Sequence, residues 1–239
     1  MSSNLPGDGP SSTPPQRRAT DLSIAVSEYD QNALSLIPSS EHEIGVYRDG
    51  VSGNLKFLSS RDKTPLYFIR CSIFRPGIPD VTMFAGNNST GTVLGVCRYA
   101  SFSTSINVGR GDPAHPNNME WEEVAKTSRD HSSYNFSIWS RARERKTYSW
   151  KRTRDANIKG TKSSQINRRS WKLEDDATGQ VVAVFAANGI KSSLTKVGKF
   201  RLLATEGTEW EEWVLLTCLG MYEKSRRRAY ARRDLSWFF

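Results

Sequence analysis

The chain is poor in the residues on which metal, redox and nucleophilic chemistry is built. Three cysteines (Cys71, Cys97, Cys218) and three histidines (His42, His115, His131) are spread over 239 residues. The cysteines form no CxxC pair and each stands in an apolar run, so they read as buried, reduced thiols of a cytosolic or nuclear protein. The histidines lie far apart in polar stretches, at no metal-ligand spacing from one another or from a cysteine. No phosphate-cradling GxxxxGK[ST], no GxSxG and no HExxH occurs. These absences remove the usual signatures of nucleotide-dependent, hydrolytic and zinc enzymes. The expectation is a protein that is not an enzyme, with no metal and no cofactor.

Long apolar runs are also missing. Residues 1–20 (MSSNLPGDGPSSTPPQRRAT) have no hydrophobic centre and no look of a secretory signal, and their Pro, Ser and Gly content predicts disorder. The longest uncharged apolar stretch is Trp213–Tyr222. As a helix it would be about 15 Å long, half of what a bilayer core requires, so it is no transmembrane anchor. Acidic residues are scarce as well: 25 against 34 Lys and Arg, a net charge of +9. That balance points to an anionic partner.

From about residue 44 the texture becomes short runs rich in Val, Ile, Phe, Tyr, Trp and Thr. Eleven of them are separated by turn signals such as Asn87-Asn88, Thr178-Gly179 and Asn188-Gly189. No 10–15-residue helical pattern alternates with them, which argues for an antiparallel meander rather than βαβ units. That many strands must close into a barrel or split into two sheets. One helix stands out at the C-terminal side. Thr208 and Glu211 have capping-box spacing, and Glu209, Glu211 and Glu212 crowd the first turn. Lys224, Arg226, Arg227 and Arg228 follow at the far end, so both ends complement the helix dipole. Trp213, Val214, Leu215, Leu216, Leu219, Met221 and Tyr222 point all round the axis. A helix apolar on every side is buried on every side. With only strands to surround it, it is expected through the middle of a barrel.

Positive charge is concentrated. Arg141 to Lys172 hold twelve bases against Glu144 and Asp155, a local net of +10 that exceeds the charge of the whole chain. The candidate ligands for an anionic head group are Arg141, Arg143, Arg145, Lys146, Lys151, Arg152, Arg154, Arg168 and Arg169. In an extended segment Arg141, Arg143 and Arg145 would share one face, and guanidinium forks suit phosphate oxygens. A secondary basic cluster is Arg226, Arg227 and Arg228, followed by Arg232, Arg233 and the aromatic end Trp237-Phe238-Phe239. Bases beside aromatics fit a membrane interface. The pair Asp175-Asp176 reads as turn chemistry in DDATGQ.

The combination of YSWKR (148–152), SWKLEDDATGQVVAVFA (170–186), GKFRLLA (198–204) and EEWVLLTCLGMYEKSRRR (211–228) resembles the tubby C-terminal-like domains, in particular fungal members of unknown function. LURP-one-related proteins and phospholipid scramblases share that architecture. The resemblance implies a mainly β fold, an antiparallel closed β-barrel of about twelve strands around one central hydrophobic C-terminal α-helix. Tubby domains bind phosphoinositide head groups through basic surface residues. Fold likeness alone does not transfer that property, and no local motif maps the lipid ligands.

The chain therefore reads as a disordered or transitional segment (1–40), a barrel (41–230) with a basic insertion around 105–170, and a C-terminal tail (231–239). The expected function is non-catalytic binding of anionic phospholipid by a peripheral, monomeric, cytoplasmic protein. The rivals are nucleic-acid binding through the same basic segment, with a nuclear location, and a scaffold with no dedicated ligand. Charge alone does not separate them, since every polyanion responds to it.

Overall fold

The computed structural model describes residues 43–50, 52–72, 77–100, 103–140, 142–153, 170–188, 195–204 and 206–235, with side chains as far as Ala231. The expected segment 1–40, the candidates Arg141, Arg154, Arg168 and Arg169, and the aromatic end lie outside the described residues.

Twelve strands follow one another: β1 (Glu43–Arg48), β2 (Leu55–Ser59), β3 (Pro65–Cys71), β4 (Val81–Ala85), β5 (Val93–Arg98) and β6 (Ile106–Arg110). Then come β7 (Glu120–Lys126), β8 (Ser133–Trp139), β9 (Arg145–Arg152), β10 (Trp171–Asp175), β11 (Val181–Ala187) and β12 (Lys196–Leu202). Each pairs antiparallel with its neighbours in sequence, and β1 pairs with β12 (Glu43 opposite Arg201), which closes the barrel. The eleven runs read from the sequence are all strands. β1, EIGVYR, is the twelfth. The stretch 105–170, expected as an insertion, is not one where it is described. It supplies β6 to β9, each paired on both sides.

Alternation places the core. In β8, Tyr134, Phe136 and Ile138 are buried while the residues between them are not. The interior is filled by the helix α1 (Thr208–Leu235). Every residue from Glu212 to Glu223 is buried, so the all-round apolar stretch is enclosed as its pattern demanded. Close approach is made by missing side chains. A Cβ on Gly95 of β5 would stand 2.4 Å from Leu216, and one on Gly220 would stand 3.1 Å from Ile106. Hydrogen bonds fix the helix axially. Trp150 Nε1 donates to Thr217 Oγ1 (2.9 Å), and the Tyr99 hydroxyl donates to the Gly220 carbonyl (2.8 Å).

Two details of the helix differ from expectation. Its first hydrogen bond runs from Glu211 N–H to the carbonyl of Gly207, whose φ is 103°, so Thr208 already lies inside the helix. The Glu211 carboxylate accepts from the Tyr67 hydroxyl (3.1 Å). The helix also continues to Leu235, into the stretch expected to be tail.

Candidate functional site

A meander sends alternate loops to opposite ends of the barrel. The entry end, where α1 begins, holds the loops after β2, β4, β6, β8, β10 and β12. The exit end, where α1 leaves, holds the loops after β1, β3, β5, β7, β9 and β11.

The expected arginine row is not a row. Arg143 sits in the β8–β9 turn with φ 59°, and the extended backbone begins only at Arg145. A turn of this kind needs a residue in the left-handed region, which breaks the period-two alignment. Arg145 forks onto Glu122 with two bonds of 2.6 Å and stacks on Trp139. Lys146 pairs with Glu206 (3.0 Å) and Lys151 with Glu174. Arg152 stacks on Trp171. Nothing brings these four side chains onto a common ligand. Each is committed to an acid or a ring of the barrel itself.

Sequence reasoning missed the acids that surround them. At the entry end Arg110 pairs with Glu120 (3.1 Å), Glu209 (3.4 Å) and Glu212 (3.7 Å). The Tyr148 hydroxyl donates to Glu206 (3.1 Å). Five glutamates (120, 122, 206, 209 and 212) thus share Arg110, Arg145 and Lys146, with Glu211 close beside them. The field shows in the titrations. Burial, then Glu211, pushes the Tyr67 hydroxyl far up. Burial and Glu206 do the same to Tyr148. Glu212 is raised by burial, with Arg110 opposing and Glu209 and Glu211 adding to the rise.

The exit end is the reverse. Arg226 and Arg227 both bond Glu223, and Arg227 also holds Asp80 and the Ser72 carbonyl. Two of the three arginines of the secondary cluster are therefore internal pins of the helix. Arg228 has no carboxylate. It lies 2.8 Å from the His131 ring, which also meets the Tyr134 hydroxyl (2.9 Å). Lys224 Nζ donates only to the carbonyls of Ser103 and Ser105 (2.9 and 2.7 Å). Burial first, then Arg228, lowers Lys224 to about 8. Burial, then Arg228, Lys126, Arg152 and Lys224, holds His131 near 4, so it is neutral at pH 7. Among the described residues Arg48, Lys126, Arg129, Lys224 and Arg228 have no carboxylate at ion-pair distance, and Arg48 and Arg129 are exposed. β9 ends and β10 begins on this same rim, so the connection carrying Arg154, Lys159, Lys162, Arg168 and Arg169 in sequence starts and finishes there. The signal that could have found this rim is the meander itself, which assigns alternate loops to one end.

No helix among the described residues is long and apolar enough to cross a membrane. No family model matches the chain, and no curated protein matches it. A solved structure it resembles is a crystal structure of a protein from Arabidopsis thaliana, with a TM-score of 0.44 and 12% identity, over 79% of this chain and 94% of that one.

Proposed function

We propose that this protein is a non-catalytic module of the tubby C-terminal-like kind that docks its exit rim on an anionic phospholipid surface. The observation that supports this reading is the surplus on that rim of cations without a carboxylate, Arg48, Lys126, Arg129, Lys224 and Arg228. The row Arg145 to Lys151 is not its binding face, because those bases are neutralised within the fold. Each base near an anionic leaflet contributes about 1 kcal/mol, so a rim of several gives stable peripheral binding without a shaped pocket. On this reading the protein works at the cytoplasmic face of a membrane.

The test is co-sedimentation with vesicles of phosphatidylcholine alone, with phosphatidylserine, or with phosphoinositide at matched total charge, each with and without an oligonucleotide competitor. Binding to the charged vesicles that survives physiological salt and the competitor supports the reading, and preference for phosphoinositide refines it to a head-group site. Displacement by the oligonucleotide, or loss at physiological salt, overturns it in favour of a general polyanion surface.

A further inference from the structure

The barrel has one weak seam, and it opens at the acidic end. β7 and β8 are seven residues each, yet they pair only at Ala125–Asn135 and Lys126–Tyr134, with Thr127 N–H donating to the Ser133 carbonyl (3.0 Å). Every other ladder of the barrel carries at least four pairs. Continuing the register would set Glu123 against Ser137 and Trp121 against Trp139, but no ladder hydrogen bonds join the strands there. In an antiparallel ladder hydrogen-bonded pairs alternate. The Thr127–Ser133 bond therefore assigns the backbone N–H and C=O of Trp121, Glu123, Ser137 and Trp139 to the open side. The unbonded stretch spans about four residues, roughly 14 Å of strand edge.

Behind this stretch is a cavity of about 120 Å³, lined by Glu120, Ile138, Trp139, Glu206, Trp210 and Trp213. Trp210 is only 4% exposed, and its indole N–H has no hydrogen-bond partner. Tyr148 is near enough for the indole dipole to oppose the rise of its hydroxyl, but no hydrogen bond of ordinary geometry joins them. Glu120 and Glu209 keep side-chain exposures of 60% and 66% although they share Arg110. Trp139 is 65% exposed at the lip. Arg145 reaches from β9 across Trp139 to Glu122 of β7 and staples the opening at one point.

These features ask for one occupant. Unbonded strand edges need backbone donors and acceptors, a buried indole N–H needs a carbonyl, and a surplus of carboxylates beside an exposed tryptophan needs a cation. We infer that the β7–β8 seam accepts an extended, basic peptide segment of a partner protein as an added strand, with an arginine or lysine head in the cavity. The site is independent of the lipid reading, since it lies at the other end of the barrel.

The probe is a fluorescein-labelled peptide of about ten residues alternating arginine and valine, enough to cover the unbonded stretch with a margin on each side. Its binding to the full chain is read by fluorescence anisotropy at physiological salt, beside a version with proline at the valine positions and a version with glutamate for arginine. The indole N–H resonance of Trp210, assigned with Trp210→Phe, is followed in parallel. The arginine–valine peptide binds, the other two do not, and the Trp210 resonance moves downfield. Removing two exposed charges with Glu120→Gln/Glu209→Gln weakens binding by about tenfold. Failure of the arginine–valine peptide to bind overturns the inference. So does equal binding of the proline peptide, wild-type affinity in the double variant, or an unmoved Trp210 resonance on binding.

Discussion

The two ends of this barrel are built from the same strands and the same helix, yet they solve their electrostatics in opposite ways. At the entry end, glutamates outnumber the bases they share, and Arg110, Arg145 and Lys146 are each held by a carboxylate. At the exit end Arg226 and Arg227 use up Glu223 and Asp80, while Lys224 and Arg228 meet carbonyls, a tyrosine ring and a neutral histidine. The difference teaches that a basic sequence is not a basic surface. The densest run of arginine and lysine in the middle of the chain is partly spent on internal ion pairs, and the surplus emerges on a rim that no single sequence window displays.

The comparison is broken altogether by removing the partition between the ends. Leu216→Asp or Trp213→Asp puts a carboxylate into the closed interior. The cost is several kcal/mol, comparable with the whole stability of a domain. Far-UV circular dichroism of either variant should show no cooperative melt, and a wild-type melting curve would refute the enclosed helix. Next in size, Arg48→Glu/Arg129→Glu should weaken binding to phosphatidylserine vesicles by at least about 2 kcal/mol, roughly thirtyfold. The matching change at the other end, Glu120→Lys/Glu209→Lys, should not weaken it. Equal losses from both variants would abolish the distinction between the ends.

A pH titration sharpens it. His131 is held near 4 against an ordinary 6.5, so below neutrality the unfolded chain takes up a proton that the folded chain refuses. Stability from this group is therefore present above pH 6.5 and is lost as pH falls toward 4, where the folded form protonates as well. The melting temperature should drop over that window in wild type and more shallowly in His131→Asn, as differential scanning calorimetry would show. The smallest effect belongs to Arg145→Ala. Its fork to Glu122 is bidentate but solvent-exposed, so the loss should stay below about 1 kcal/mol, a shift of a few degrees. A much larger loss would mean that the staple holds the β7–β8 seam closed.

How far the sequence could be read follows from the range over which each feature is encoded. Strands and the helix are local. SYNFSIW alternates, and WVLLTCLGMY is apolar on all sides, so both were legible with their burial. The turn chemistry of Asp175 was legible too, since its carboxylate accepts from Ala177 and Thr178 N–H as the DDATG pattern implies. β1 was harder, because EIGVYR follows directly on a polar stretch with no turn signal to mark its start. The fate of the charges was not legible. Arg145 meets Glu122 twenty-three residues away, Arg227 meets Asp80 across 147, and Lys146 meets Glu206 across 60. Those distances are set by strand register and barrel closure, which no local pattern states. Arg143 was misplaced for a smaller reason. A left-handed residue in a tight turn interrupts an alternation that otherwise looks continuous.

The order of the chain has a consequence in time. The helix that fills the barrel is made after all twelve strands, and β1, which closes the barrel against β12, is made before the other eleven, so Glu43 meets Arg201 only once β12 exists. A nascent chain leaving the ribosome therefore carries twelve strands whose inward faces have nothing to rest on until Trp213 to Tyr222 emerge. Folding is committed late and nearly all at once, in the slow regime of non-local β pairing. A frameshift or stop codon between β12 and α1 would leave every strand in place and yield a chain fated for aggregation or proteolysis.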